Sequence, residues 1–455
     1  MTFLEELRNQ LPGLRLLTDV TDRESFRRDE TAHFEPGLPL AVALPSTTAE
    51  VAEIVRCAAA YRVPIVPRGA GSGLSGGSAG IDGALTVAFT GMNQIVEIDG
   101  ANLVAVVQPG VINADLKKAV AAEGLFYPPD PASYELCSIG GNIGTNAGGL
   151  CCVKYGVTRD AVLGLEVVLA DGTVIRTGGR NVKDVAGYSL THLFVGSQGT
   201  LGLVTEATLR LRPAPPPKAT LLAFFPTLEA SGAAVAAITA AGLGPCTLEL
   251  MDRYTIAAVD EWHKLGLDRS AGALLLIESD LPGGAAEAEL DAAVAACEAA
   301  GASETVRATD AAEADWLRQV RRLAFRALER MGVARMEDVG VPRSRMPDLL
   351  REIERVAAAH SVTCGTFGHA GDGNLHPTFI WKRGDAAAEE RAHLACEELY
   401  RVAIALGGTV TGEHGIGASR RDFLVEQVGP EALGVMRSIK AALDPLNILN
   451  PGRVV

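Results

Sequence analysis

Pro67-Arg-Gly-Ala-Gly-Ser-Gly-Leu-Ser-Gly-Gly77 decides how the first half of the chain is read. It contains the spacing GxGxxG at Gly71, Gly73 and Gly76. That spacing marks a nicotinamide-dinucleotide turn when a helix begins inside the glycines and its N-terminus meets the diphosphate. Here Val63-Pro-Ile-Val-Pro67 precedes the loop, and Gly77-Ser-Ala-Gly-Ile-Asp-Gly83 leads into the strand-like Ala84-Leu-Thr-Val-Ala-Phe89. The loop therefore joins strand to strand. It can hold a diphosphate only through successive backbone N–H groups curled into an anion-binding nest. A plain surface loop is the competing reading, but such loops seldom need so many glycines.

Outward from this loop, residues 37–212 alternate helix and strand signals. Thr47-Thr-Ala-Glu50 is a capping box opening a helix with Val51, Ile54, Val55 and Ala58 on one face. Runs at 84–89, 103–108, 162–170 and 201–211 read as buried strands, and Asp171-Gly172 as a hairpin turn. Pro128-Pro-Asp-Pro-Ala-Ser133 and Ile139-Gly-Gly-Asn-Ile-Gly-Thr-Asn-Ala-Gly-Gly149 form a second glycine cluster, unlike a strand or a helix. Its glycines let backbone approach a flat ring, and Asn142 and Asn146 can fix loops or a ring edge. Two such loops point to a large, planar, phosphate-bearing cofactor.

Arg212-Pro-Ala-Pro-Pro-Pro-Lys218 cannot bond regularly and reads as a domain boundary. Beyond it strand and helix signals alternate, with Ala-rich helices at 285–300 and 386–406, which suggests a second α+β domain. The expected division is 1–214, 215–415 and a C-terminal segment 416–455 whose turn residues wrap it back onto another domain.

The chain has 455 residues and a net charge of −14 without a basic block, which argues against nucleic acid or an anionic membrane surface as a partner. Met1-Thr-Phe-Leu-Glu-Glu-Leu-Arg-Asn-Gln10 reads as a short amphipathic helix rather than a signal peptide, and no long apolar run predicts a spanning segment. The expectation is a cytoplasmic protein, with peripheral membrane association left open. Eight cysteines without a CxxC pair read as reduced thiols, Cys151 and Cys152 as core packing.

His369-Ala-Gly-Asp-Gly-Asn-Leu-His376 lies between two strand-like stretches, and Gly371 and Gly373 permit the turn that lets both imidazoles converge. Gly412-Glu-His-Gly-Ile-Gly417 adds a carboxylate and a third imidazole. Two imidazoles and one carboxylate with open positions make the ligand set of a catalytic zinc, though Mn(II) or Fe(II) would accept it too. Histidines satisfied by backbone bonds in glycine-rich loops are the competing reading. Asp372 and Asn374 read as turn residues or supports of the ligands.

These motifs, with Lys183-Asp-Val-Ala-Gly-Tyr188 and Gly196-Ser-Gln-Gly-Thr-Leu-Gly202, resemble the vanillyl-alcohol-oxidase superfamily. Within it the chain is most similar to the D-lactate dehydrogenases, glycolate oxidase flavoprotein subunits and D-2-hydroxyglutarate dehydrogenases. The resemblance implies an α+β architecture: a PCMH-type FAD-binding domain, a cap domain with an antiparallel sheet, and a C-terminal helical segment returning to the FAD domain. It implies FAD along Pro67, Arg68, Gly69, Ala70, Gly71, Ser72, Gly73 and Leu74 at the diphosphate. Pro131, Ser133, Gly141, Asn142 and Thr145 would contact the flavin and Val204 the adenine half, with Gly140, Asn146, Gly148, Gly199 and Gly202 also in the cofactor site. Some relatives link FAD through a loop His that this loop lacks, so the FAD is expected to be non-covalent.

The resemblance further implies a metal on His369, His376 and Glu413. Metal coordination can lower a bound water's pKa from about 15.7 to about 7, and a bound α-hydroxyl should respond in the same direction. His414 would then take the hydroxyl proton as hydride leaves for flavin N5. Arg321, in the Arg-rich stretch Trp316–Phe325, would fork the substrate carboxylate, with Arg318 and Arg322 on a solvated face. Asn450 in Asp444–Arg453 would reach the flavin, with Arg453, where relatives often have Lys, on an exposed end. The expected activity is oxidation of a D-2-hydroxy acid, D-lactate first, with glycolate and D-2-hydroxyglutarate as alternatives. The expected acceptor is cytochrome c, a quinone or an electron-transfer flavoprotein, and a homodimer or partner subunits remain open. A non-catalytic flavin module and an NAD-linked dehydrogenase are the competing classes.

Overall fold

The computed structural model describes residues 1–32 and 34–455, with backbone alone at Ala311. It forms two compact units. Met1–Gly148, Gly156–Ala214 and Glu413–Val455 make the first, and Gly149–Tyr155 with Pro215–Gly412 the second.

In the first unit, the helix Thr48–Tyr61 begins at the expected box: Thr47 Oγ1 accepts from Glu50 N at 3.2 Å, and Glu50 Oε2 accepts from Thr47 N at 3.2 Å. Its buried face is Val51, Ala52, Ile54, Val55, Cys57 and Ala58. The helix Phe3–Gln10 opens on a second box, from Thr2 and Glu5. A four-stranded sheet runs in the order Arg15–Leu17, Ala41–Leu44, Leu85–Ala88, Ile65–Arg68. Leu85–Ala88 pairs in parallel with both its neighbours. The glycine-rich loop thus connects adjacent parallel strands without the helix that such a crossover usually carries.

A second, antiparallel sheet takes the order Ile95–Asp99, Val104–Val107, Leu203–Arg210, Val162–Val168, Val174–Gly178. The turn at Asp171-Gly172 forms as expected, with Gly172 at φ 77° and Asp171 Oδ1 accepting from Thr173 N at 2.8 Å.

Two expectations need correction here. The stretch 139–149 is not wholly irregular, because Ile139–Thr145 is a helix capped by Ser138, whose Oγ accepts from Gly141 N at 3.2 Å. Gly140 in it is required by packing, since a Cβ there would lie 2.5 Å from Pro109. The end of the chain is not exposed either: Arg453 is buried, donates from Nη2 to Ala79 O at 3.1 Å and stacks on Phe34.

The tail reaches this position through the helix Arg421–Leu443, which kinks at Gly429 before Pro430. Asp444 then turns the chain by accepting from Ile448 N and Leu449 N at 3.0 and 2.7 Å. Ile448 and Leu449 lie along Ile65: Ile65 N donates to Ile448 O, and Asn450 N to Ile65 O, each at 2.7 Å. Both are wholly or almost wholly buried in the core cluster of the first sheet.

The second unit carries an eight-stranded antiparallel sheet. Its order is Glu304–Arg307, Ala219–Phe225, Ala273–Ser279, Thr247–Asp252, Thr363–His369, Asn374–Trp381, Val333–Met336, with Val339–Gly340 also pairing on 374–381. One face, with Leu222, Phe224, Met251, Leu274, Leu276 and Phe367, packs on the helices Arg253–His263, Ala311–Arg322 and Ala324–Glu329. The Ala-rich helices form at Ala285–Ala299 and Ala386–Ala405. Arg212-Pro213 makes a two-residue bridge with Leu125-Phe126, so the proline-rich stretch begins with regular bonding before it becomes extended.

Candidate flavin and metal sites

The glycine-rich loop leaves the edge strand at Arg68, which is buried and donates to Arg28 O at 2.7 Å and Ser78 O at 3.3 Å. Its guanidinium ties the base of the loop together. Gly71 sits at φ 79°, and a Cβ there would strike that guanidinium; a Cβ on Gly69 would strike Ser138 Oγ. Side chains are thus excluded at the points where the backbone must stay bare. Among the described residues, none accepts a hydrogen bond from the N–H groups of Gly69, Ala70, Gly71, Ser72, Gly73 or Leu74. Six consecutive donors not engaged by protein fit the diphosphate of a dinucleotide.

Neighbouring segments hold this loop in shape. Asn450 is fully buried at φ 45° and donates from Nδ2 to Gly77 O at 2.8 Å and Gln198 O at 2.7 Å. Its Oδ1 is buried without a partner. An acceptor left in this state fits a polar group brought by a ligand.

Gly199 (φ 69°) and Gly202 pack their backbones on Pro67 and Val167, and Val204 is half-buried against the core. Pro131 is buried and Ser133 half-buried; Ser133 O caps the turn before Ser138 by accepting from Cys137 N at 2.9 Å. Asn142 turns inward, accepting from Asn113 Nδ2 at 3.0 Å and facing Cys137 Sγ at 3.2 Å. Thr145 Oγ1 bonds Gly141 O, and Asn146 Oδ1 accepts from Arg159 N at 2.8 Å, with Gly148 closing the segment. Among the asparagines of this cluster, both side chains therefore shape loops, while Gly140 and Gly141 supply bare backbone. Val182, Val185 and Tyr188 lie on a wholly exposed stretch.

His414 and Glu413 stand where the chain re-enters the first unit, His414 Nε2 lying 3.6 Å from Glu413 Oε1. Ser75 Oγ donates to His414 O at 2.9 Å. Gln198 Nε2 donates to Ser75 Oγ at 3.2 Å, and Gln198 Oε1 accepts from Gly417 N at 2.7 Å. The glycine-rich loop and the loop bearing His414 are thus tied by one buried amide, which sequence reasoning did not single out.

In the second unit, His369 and His376 sit on paired strands joined by the turn 370–372, with Gly373 at φ 80°. Phe367 faces His376 and His369 faces Asn374 in the register, so the two histidines are diagonal neighbours on one face. Their rings lie edge to face, 5.2 Å apart, and only 5% and 3% of the two residues' surfaces are exposed. His369 Nδ1 is 2.7 Å from Glu249 Oε1, and His376 Nδ1 is 3.3 Å from Glu337 O. Both acceptors draw the ring proton to Nδ1, leaving Nε2 with the lone pair on each ring. A carboxylate or carbonyl behind the ring is how imidazole metal ligands are generally held. The donor set therefore fits a metal.

Asn374 does not face the imidazoles as a ligand: its Nδ2 donates to Asp338 Oδ1 at 2.8 Å and Val339 O at 3.1 Å. Asp338 Oδ2 also accepts from Thr411 Oγ1 at 2.7 Å, and a Cβ on Gly412 would strike the Asn374 amide. The segment leading to Glu413 is anchored beside the hairpin up to its last residue in this unit.

Arg321 is 3% exposed and pairs through Nη2 with Glu249 Oε2 at 2.6 Å. Arg318 is not on a solvated face, because it pairs with the buried Glu278. The signal for Glu249 was an acid inside the apolar strand Thr247-Leu-Glu-Leu-Met-Asp252. The eight cysteines are all free, and only Cys152 is other than buried.

Residues 39–178 match the FAD binding domain model, and residues 214–454 the model for the C-terminal domain of FAD linked oxidases. The chain is 47% identical over 430 residues to the glycolate oxidase subunit GlcD of Bacillus subtilis, covering 94% of this chain and 91% of that protein. It is 36% identical to a D-lactate dehydrogenase of Archaeoglobus fulgidus, covering 95% of this chain and 96% of that one. In fold it is similar to p-cresol methylhydroxylase, with a TM-score of 0.83 at 18% identity over 99% of this chain and 96% of that one. Among the described residues no helix is long and apolar enough to cross a membrane. The chain belongs to the FAD-linked oxidases, the family of the glycolate oxidase subunit GlcD and the D-lactate dehydrogenases.

Proposed function

We propose that this protein oxidises a small 2-hydroxy monocarboxylic acid to the 2-oxo acid, using non-covalent FAD and a divalent metal, zinc first. The observation that carries the reading is the buried pair His369 and His376, each with Nδ1 facing a protein acceptor. In this reading residues 1–214 with the tail from 416 bind the flavin, and 215–415 form the substrate domain.

When bound, FAD accepts the hydride, and the metal acidifies the α-hydroxyl and orients the carboxylate. His369, His376 and Glu413 would hold the metal. His414 takes the hydroxyl proton, a role that suits an imidazole because it titrates near neutral pH. Ser75 and Gln198 fix the backbone of His414 against the glycine-rich loop. The backbone donors of residues 69–74 hold the diphosphate. Arg321 supplies a cation on the same sheet face as the histidines, which suits an acid substrate.

Between substrates, the 47% identity to a glycolate oxidase subunit favours glycolate, with D-lactate as the second reading on the 36% identity to a D-lactate dehydrogenase. The GlcD name also favours partner subunits, with a quinone, cytochrome c or an electron-transfer flavoprotein taking the electrons.

The test is anaerobic bleaching of the flavin band with glycolate, D-lactate, L-lactate and D-2-hydroxyglutarate, with and without prior chelation. Glycolate and D-lactate should bleach the band and chelation should slow this by at least a hundredfold. No bleaching by any of the four acids would sink the reading, and full-speed bleaching after chelation would sink its metal.

A further inference from the structure

The helix Ala311–Arg322 lies on the sheet face that carries the histidines, and it sends down two arginines three residues apart. Arg318 meets Glu278 and Arg321 meets Glu249, acids on neighbouring strands whose register sets Thr247 opposite Glu278 and Glu249 opposite Leu276. Glu278 is fully buried and Glu249 is 1% exposed. Glu249 is the shared element: Oε2 meets Arg321 Nη2 at 2.6 Å, and Oε1 meets His369 Nδ1 at 2.7 Å. The same guanidinium stands 4.8 Å over the Phe367 ring, which in turn lies 5.5 Å from the His376 ring. One arginine therefore touches both the acid behind His369 and the aromatic ring beside His376.

We infer that Glu249, clamped by Arg321, is the positioning residue that fixes the tautomer and orientation of His369 and thereby sets metal affinity. The inference rests on the metal reading given above and deepens it. Glu249 is buried between two partners, the Arg321 guanidinium 2.6 Å from Oε2 and the His369 ring at Oε1, so its position is fixed from both sides. A carboxylate oxygen accepts, so Oε1 at 2.7 Å favours the ring N–H at Nδ1. The Nε2 lone pair stays directed away from Glu249, so the ligand needs no reorganisation when a metal arrives. Arg321 consequently acts on the metal through Glu249 and His369, whatever it also does for substrate.

The experiment uses the full-length, FAD-loaded protein stripped of metal. Long-range ¹⁵N–¹H correlation of the histidine rings reads the His369 tautomer, and titration of Zn(II) against a chromophoric chelator reads affinity. Arg321→Met alone leaves a buried acid without its cation and endangers the fold. The double variant Glu249→Leu with Arg321→Met is therefore the principal test, since apolar replacement of a buried pair is commonly neutral for stability. Wild type should show His369 protonated at Nδ1. The double variant should lose that single form and bind zinc about 10- to 100-fold more weakly, the usual effect of removing a ligand's support. Glu249→Gln, which keeps an acceptor, should recover part of the affinity. Zinc affinity within twofold of wild type in the double variant, or a wild-type His369 protonated at Nε2, overturns the inference. A correct tautomer in a wild type that binds no zinc would instead remove the metal reading and spare the role of Glu249 in holding the ring. His369→Ala binding zinc like wild type would remove both.

Discussion

The glycine-rich loop and the histidine hairpin solve opposite problems. At the loop the binding atoms belong to the backbone, and the sequence works by leaving side chains out: Gly69 and Gly71 have no room for a Cβ. At the hairpin the binding atoms belong to side chains, and the sequence works by placing buried acceptors behind each ring. A backbone site fails by steric intrusion, whereas a side-chain site fails by loss of a partner. The two should therefore be separable by mutation.

The sharpest way to break that contrast is a pair of reciprocal deletions. Gly71→Val should give protein with little or no FAD by the 450 nm to 280 nm absorbance ratio, because φ 79° and the Arg68 contact both exclude a branched side chain. His376→Ala should retain full FAD yet carry less than a tenth of the wild-type metal on elemental analysis. Joint loss of both groups in either variant would show that the sites are not independent.

Next in size is His414→Ala. It should keep FAD while slowing flavin reduction by about 10²- to 10⁴-fold, the usual span for a lost general base. Stopped-flow absorbance with glycolate measures this, and a loss below tenfold would take the proton-accepting role from His414.

A smaller effect is expected at Gln198, the amide that ties Ser75 to the loop of His414. Gln198→Glu keeps an acceptor for Gly417 N but loses the donor to Ser75. Removal of one such bond in a buried site should lower thermal stability by about 1–3 kcal/mol and reduce kcat more than it raises KM. Unchanged kcat with raised KM would argue that the tie serves binding only.

The least change should come from the thiols. Burial raises Cys57 to about 11 and Cys297 to about 12, so native protein at pH 8 should alkylate first at Cys152. Peptide mapping after brief iodoacetamide treatment would reveal any other order.

How much of this was legible in the chain follows the same division. The capping box at Thr47, the turn at Asp171-Gly172 and the missing helix after Gly76 are local matters of propensity and spacing, and each could be read directly. The hairpin bearing both histidines was legible for the same reason, because Gly373 and the flanking strands are contiguous. Helix Ile139–Thr145 was not, since glycine has poor intrinsic helicity and the packing on Pro109 comes from a distant segment. The ion pairs of Arg318 and Arg321 and the burial of Arg453 were missed because an arginine's environment is set by long-range partners, here Glu278, Glu249 and the Ala79 carbonyl. Asn142 and Asn450 were read as flavin contacts on resemblance, and no local pattern reveals what their amide groups bind in the protein, Asn113 and the Gly77 carbonyl.

The strand Ile65–Arg68 has its outer edge covered by Ile448 and Leu449, and this has a consequence for biosynthesis. Residues 215–412 leave the ribosome before that cover exists, an interval of roughly 10–40 s at about 5–20 residues per second. During it the nascent nucleotide-binding sheet presents an open edge strand next to an unbraced glycine loop, a place where chaperones would be expected to bind. Only once translation has passed Asn450 can that side chain brace the loop through Gly77 and Gln198.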